Sequence, residues 1–167
     1  MAASASSTVG VDTDRTVRVG AGLMAVAGLG FVGYGIIFFV RNFTDAFLEL
    51  GITAGEVPVG RTEITAFSPE LFHYVSHLHI AVAGMLVAIG IAVAALAWIG
   101  VRARREPWAW WTAVTVPVVT LAIALPAHYP NDFDTIGHLG LIYLATAVFV
   151  VGALMTLPVA RREDRPA

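Results

Sequence analysis

Four long apolar stretches constrain this sequence more than any other feature. They cover about residues 19–40, 78–101, 108–127 and 136–160, and none of them contains Asp, Glu, Lys or Arg. As an α-helix, which rises about 1.5 Å per residue, each is long enough to cross a hydrocarbon core about 30 Å thick. Charged residues make up only 13% of the chain, about half their share in soluble domains. The sequence therefore predicts an all-α protein, a four-helix transmembrane bundle in contact with the lipid bilayer.

The distribution of arginine predicts how the bundle is oriented. All ten basic residues are arginine, and only Arg41 and Arg61 lie outside the tails and the connection between the second and third stretches. Because arginine collects on the cytoplasmic side of membrane proteins, both termini are expected in the cytoplasm (N-in/C-in) of a multi-pass protein of the cell (plasma) membrane. The expected division is a disordered cytoplasmic tail (1–15), a four-helix membrane domain (16–160) and a second cytoplasmic tail (161–167).

A mostly polar outer loop, residues 41–68, joins the first two stretches. Its first part, "NFTDAFLEL", would extend the first helix or lie in the membrane interface. Its second part, "GEVPVGRTEITAF", contains Gly and Pro and is expected to form a short hairpin or a loop. The second helix should begin after Ser68, a good N-cap, with Pro69 in the first helical position.

Two missing residue types limit the chemistry of the chain, which contains neither cysteine nor lysine. Without cysteine there is no disulfide, thiolate-bound metal, iron–sulfur cluster or covalently attached haem. Without lysine there is no retinal or pyridoxal Schiff base within the chain. The formal net charge of −2 gives no sign of a nucleic-acid partner. Any cofactor must be held by histidine, carboxylate, tyrosine, methionine or packing.

All five histidines fall at the predicted outer face. His73, His77 and His79 begin the second stretch, His128 ends the third and His138 begins the fourth. Since only a short turn joins the third and fourth helices, His128 and His138 are predicted to approach each other.

One face of the second helix combines a carboxylate with two imidazoles. At about 100° per residue, Glu70, His73 and His77 lie within roughly 60° of one another. A stripe of small residues continues this face: Ala81, Gly84, Ala88, Ala92 and Ala95. Because small residues let membrane helices pack closely, this face is predicted to look into the bundle, whereas His79 should point elsewhere.

These residues predict a metal or haem b site at the outer leaflet, with a redox or metal-handling role. The candidate metal ligands are His73, His77, His138, His128 and Glu70, with Asp132 or Asp134 as further ligands or as partners of the ligands. Nitrogen and oxygen ligands without sulfur suit zinc, copper, iron or manganese. In the haem interpretation, His77 or His79 pairs with His138 as the axial ligands.

Other interpretations give the histidines no cofactor. Histidines near a membrane interface often hydrogen-bond only to loops or headgroups, and the protein would then be a non-catalytic accessory subunit of a membrane complex. The small-residue stripe and the glycine-rich first helix would in that case contact a membrane-protein partner or a second copy of the chain. A proton relay through the histidines is another alternative. An enzyme would need an open coordination position on a metal, so the sequence leaves enzymatic activity undecided.

Overall fold

Four helices of the computed structural model, which describes residues 4–44, 47–133 and 135–161, are long and apolar enough to cross a membrane. They span Thr13–Arg41, Pro69–Arg104, Pro107–Ala127 and Ile136–Met155. The structure thus confirms the predicted all-α, four-helix architecture. The N-in/C-in orientation rests on the arginine asymmetry alone and stays a prediction.

The helices are numbered in chain order. The elements are α1 (Ser4–Arg41), α2 (Arg61–Phe67), α3 (Pro69–Ala95) with a π-helical extension (Leu96–Arg104), α4 (Pro107–Ala124), α5 (Ile136–Met155) and α6 (Leu157–Ala160). Two short 3₁₀ turns, Leu125–Ala127 and Tyr129–Asn131, connect α4 to α5. We call the end of the bundle that carries residues 41–79 and 127–138 the histidine end. The opposite end, which carries residues 13–18, 98–108 and 156–161, is the arginine end.

The outer loop differs from its prediction. The segment expected to form a hairpin or a loop contains the short helix α2, and the described residues contain no strand. Glu63 accepts a hydrogen bond from the N–H of Gly60 at 2.8 Å, which satisfies a donor that the start of this helix leaves free. The predicted cap of α3 is confirmed, since the Ser68 side chain accepts a hydrogen bond from the N–H of Leu71.

Helix α1 overlaps the predicted N-terminal tail, because it begins at Ser4. Residues 162–167, most of the predicted C-terminal tail, lie outside the described residues. The division into a tail, a membrane domain and a second tail stays a prediction.

Helix α1 is the centre of the bundle. It packs against both α3 and α5, whereas α3 and α5 barely touch each other within the described ranges. Glycines form both helix crossings. Where α3 crosses α1, a Cβ added to Gly90 would lie 2.5 Å from the carbonyl oxygen of Gly28. Where α5 crosses α1, a Cβ added to Gly152 would lie 2.5 Å from the carbonyl oxygen of Gly20. Gly20 and Gly28 of the glycine-rich first helix thus serve close packing within the bundle itself.

The inward face of α3 is not the predicted one. Phe72, Ala83, Gly90 and Val93 are the buried residues of this helix. In the small-residue stripe, by contrast, Gly84, Ala88, Ala92 and Ala95 are exposed. The prediction was wrong because small side chains alone do not decide which face of a helix packs. The glycine of α3 that lies against α1 is Gly90, which meets Gly28 of that helix.

A buried hydrogen bond connects α4 to the chain that follows α5. The Trp110 indole Nε1 donates to the Thr156 hydroxyl at 2.9 Å, and both side chains are buried. The other three tryptophans, Trp98, Trp108 and Trp111, are exposed at the same end of the bundle. Exposed indole rings are typical of the headgroup level of membrane proteins, which is where the predicted topology puts the arginine end.

The glycine crossing predicts a sharp contrast between two alanine substitutions in α3. Gly90→Ala should lower the free energy of unfolding by about 1–3 kcal/mol, because its new methyl group meets the backbone of α1. Gly84→Ala should leave stability unchanged or slightly raised, since nothing lies within 4 Å of the added Cβ and alanine is the better helix former. Unfolding in detergent, followed by circular dichroism, measures both; equal effects would contradict the crossing.

Candidate metal site at the histidine end

The loop after α1 is held across the end of the bundle by two residues. The Arg41 guanidinium, at the last position of α1, donates to the carbonyl oxygens of Leu48 at 2.9 Å and Glu49 at 3.4 Å. Phe47 is fully buried, and its ring lies 5.2 Å from that of Phe72 on α3. An arginine at a helix C-terminus suits the negative end of the helix dipole, and the aromatic contact closes the loop onto the bundle. Glu49 is thereby placed over the start of α5.

His138 is held by two contacts with this loop. It lies in the first turn of α5, whose N-cap is Thr135, and only 3% of its surface is exposed. Its Nδ1 lies 2.8 Å from the Leu50 carbonyl oxygen and its Nε2 lies 3.2 Å from Glu49 Oε2. A carbonyl can only accept, so Nδ1 carries a proton and donates it. Nε2 is then the nitrogen left to face the carboxylate.

His128 is oriented by the same type of contact. Its Nδ1 lies 2.9 Å from the carbonyl oxygen of Ala124, so this nitrogen also donates and Nε2 is left available. The His128 carbonyl oxygen accepts from the N–H of Phe133 at 3.0 Å, which closes the turn towards α5. The two imidazole rings lie 5.3 Å apart between centroids, tilted by 32°. The predicted approach of His128 and His138 is confirmed.

Glu49, His128 and His138 together form a group that could hold a metal ion. Each offers one ligand atom, and these atoms lie within 4.8 Å of one another. The group lines a cavity of about 280 Å³. The other walls of this cavity are Leu48, Ile52, Val57, His79, Ala127 and Phe133. Two imidazoles and a carboxylate therefore meet in a small, largely apolar pocket.

His79 lines the cavity without belonging to that group of three. It lies between the rings of Phe38 and Phe47, each 4.9 Å away between centroids. Its Nδ1 is buried and has no hydrogen-bond partner among the described residues. His79 shares the inward face of α3 with Phe72 and Ala83, so it points towards α1 and the loop, in agreement with the expectation that it diverges from His77.

The remaining predicted ligands lie elsewhere. Glu70, His73 and His77 are exposed on α3. Glu70 accepts a hydrogen bond from the Ser68 hydroxyl at 2.9 Å, and the His73 ring packs against the Phe72 ring. None of the three joins the group that contains His138, because they lie on the exposed face of α3, whereas His79 on its inward face lines the cavity. Their predicted roles as ligands stay predictions.

Asp132 of the turn does not join the group either. Asp132 is exposed and has a left-handed backbone conformation, with φ of 57°. Asp134 lies outside the described residues.

Glu49 is the residue that the sequence analysis missed. It lies in the part of the outer loop with no clear periodicity, farther along the chain from the histidines than Glu70, Asp132 and Asp134. The available signal is local: Glu49 is the only charged residue in "FLELGI". A lone carboxylate between two leucines is expected to be anchored by a partner.

A second carboxylate adds negative charge near the site. The pKa of Glu56 is lowered, mainly by the hydrogen bond from the backbone N–H of Thr53 and next by that from its hydroxyl, with smaller contributions from Thr135 and the charge of His138. These contacts also connect the outer loop to the N-cap of α5. A carboxylate that stays ionised here favours a cation over an anion in the nearby pocket.

The site predicts a strong requirement for glycine at position 51. Gly51 has a φ of +85°, and a Cβ there would collide with the Gly137 carbonyl group. Gly51→Ala should therefore destabilise the protein by at least about 1 kcal/mol and displace Leu50, the acceptor for His138. Gly55→Ala is the matched control in the same loop, because its Cβ would have only an ordinary contact, 3.6 Å from Thr53 Oγ1. Thermal unfolding of both variants tests this, and equal midpoints would contradict it.

Comparisons of the chain with known proteins do not assign it to a family. No family model, no curated protein and no solved structure matches it. The function must therefore be inferred from the site itself.

Proposed function

We propose that this membrane protein binds one divalent transition-metal ion through Glu49, His128 and His138, at the end of the bundle predicted to face outward. The observation that carries the proposal is the approach of three ligand atoms to within 4.8 Å of one another. The hydrogen bonds of both Nδ1 atoms to backbone carbonyl oxygens support it. Metal-binding histidines commonly donate their second nitrogen in this way, which fixes the tautomer and the ring orientation.

The contact between His138 and Glu49 needs a cation. A bare imidazole nitrogen and a carboxylate oxygen repel each other, yet these two atoms lie 3.2 Å apart. Either a proton or a metal ion must lie between them. An ion about 2.1 Å from both atoms would give an angle of about 100° between its two bonds, which suits neighbouring ligands of one ion. Proton and metal therefore compete for the same place.

Two histidines and one carboxylate limit the choice of ion. This set is found in zinc sites that keep a water in the fourth position and in non-haem iron(II) sites with open positions. Copper and manganese are also compatible with nitrogen and oxygen ligands. Three protein ligands and an adjoining cavity leave room for water or a small molecule on the ion. The role that follows is metal handling or redox chemistry at the membrane surface.

Haem b receives less support. The cavity of about 280 Å³ lies just below the usual range for small-molecule pockets, about 300–1,000 Å³. That volume suits an ion with its waters better than a porphyrin. Of the three predicted haem ligands, His77 is exposed on α3, away from His138.

Metal binding by purified protein tests the proposal. The full chain in mild detergent should take up about one equivalent of zinc or iron(II). Glu49→Gln, His128→Asn and His138→Asn should each weaken binding at least about tenfold, because each removes one ligand of three. Elemental analysis and calorimetric titration provide the stoichiometry and the dissociation constant.

Two exposed histidines of the same chain are matched controls. His73→Asn and His77→Asn should leave affinity unchanged, since both side chains are exposed on α3. Loss of binding in these variants, with binding retained in His128→Asn and His138→Asn, would move the site to the α3 pair. Wild-type protein that takes up no metal would refute the proposal altogether.

Acid should release the ion. Histidine binds metal only as neutral imidazole, so protonation of His128 and His138 competes with the metal. Affinity should therefore fall as the pH is lowered and return when it is raised. Titrations over a series of pH values measure this, and binding that does not change with pH would argue against histidine ligands.

A second candidate function is that of an accessory subunit of a membrane complex. The observation in its favour is the exposed small-residue face of α3, where nothing lies within 4 Å of a Cβ placed on Gly84. If a partner helix packs there, Gly84→Leu should disrupt the complex in cross-linking experiments, while the three ligand variants should leave it intact. The reverse result would favour the metal function.

A further inference from the structure

We propose that a pocket at the arginine end binds the phosphate group of an anionic ligand. The pocket has a volume of about 390 Å³, and its lining contains Asp14 and Arg18 of α1 together with Trp98, Arg102, Ala103 and Arg105. Three guanidinium groups and one carboxylate leave a formal charge of +2. This pocket lies at the opposite end of the bundle from the candidate metal site, and nothing in the proposed function depends on it.

Arg105 supplies the strongest reason to expect an anion. It has a left-handed backbone conformation, with φ of 59°, and its side chain is only 12% exposed. One nitrogen, Nη2, donates to the Asp14 carboxylate and to the Asp14 carbonyl oxygen. The other, Nη1, is buried and has no hydrogen-bond partner among the described residues. A buried guanidinium with an unused donor costs free energy until an acceptor reaches it.

The other two arginines are held in place beside it. The Arg102 guanidinium lies over the Trp98 ring, 3.9 Å from its centroid, a cation–π contact that orients the group. Arg18 pairs with the second oxygen of Asp14 at 2.7 Å. Asp14 is thus shared by two arginines and cannot neutralise both. Arginine presents donors in a planar fork that matches phosphate oxygens.

The location of the pocket favours a lipid as the source of the phosphate. The exposed indoles of Trp98, Trp108 and Trp111 lie at this end and mark the headgroup level. From Arg18 to the end of α1 at Arg41 the helix rises about 34 Å at 1.5 Å per residue, which is close to the hydrocarbon thickness. The pocket therefore opens where phospholipid phosphates lie, and basic pockets between membrane helices bind anionic headgroups.

Lipid binding by the full chain tests the proposal. Protein purified in detergent is mixed with phosphatidylglycerol or with phosphatidylcholine, and the bound lipid is counted by native mass spectrometry. The wild type should retain phosphatidylglycerol in preference, and Arg102→Gln should weaken that binding about tenfold, because it removes a charged hydrogen-bond donor. Arg102 is the diagnostic position, since removal of Arg105 would also break its ion pair with Asp14.

Arg104→Gln is the matched control. It removes the same charge from the same segment, and Arg104 does not line the pocket, so phosphatidylglycerol binding should be unchanged. Thermal unfolding of both variants checks that each remains folded. If the Arg102 and Arg104 variants retain the lipid equally, or if phosphatidylcholine binds as well as phosphatidylglycerol, the pocket is not an anion site.

Competition with inorganic phosphate shows whether the bound phosphate group comes from a soluble ligand or from a lipid. If it displaces phosphatidylglycerol from the wild type, and binds less well to Arg102→Gln, the pocket takes a free phosphate. If it does not compete while the dependence on Arg102 persists, the ligand is the lipid headgroup. Both outcomes support a phosphate-binding site and assign its ligand.

Discussion

The close contact of α1 with α3 and α5 is the constraint on which the rest of the structure depends. Apolar helices in lipid gain little from hydrophobic burial, so they associate through van der Waals contact and close backbone approach. Glycines supply that approach at Gly28 with Gly90 and at Gly20 with Gly152. Because α1 lies between α3 and α5, these contacts also decide which histidines can meet.

The candidate metal site is a product of that arrangement and of one loop. Helix α3 contributes only His79 to the wall of the cavity, so the second imidazole beside His138 comes from His128, and the carboxylate comes from Glu49 in the segment that follows α1. The loop has no regular structure at this point, yet its backbone carbonyl of Leu50 holds the His138 ring. Hydrogen bonds to main-chain carbonyls thus orient the two imidazoles, which lie at helix ends.

The two ends of the bundle carry candidate sites that prefer ligands of opposite charge. Ionisable groups are excluded from the hydrocarbon by their cost of desolvation, so both candidate sites lie at the interfaces. At one end a carboxylate faces two imidazoles and favours a cation. At the other, Arg18, Arg102 and Arg105 line a pocket with a single carboxylate and favour an anion. The same fold therefore carries two candidate sites of opposite charge preference, at opposite ends of the bundle.

Length and hydropathy in the sequence determined the four spans, and Ser68 and Pro69 determined where α3 begins, because these signals are local. The short connection between α4 and α5 was also enough to predict that His128 approaches His138. The inward face of α3 was not predictable, since it depends on which glycine meets a glycine of another helix. Glu49 was missed for the same reason: its proximity to His138 depends on Arg41 and Phe47, which fold the loop across the bundle. Tertiary packing alone decides contacts between residues that are distant in sequence, and each candidate site depends on one such contact, Glu49 with His138 and Asp14 with Arg105.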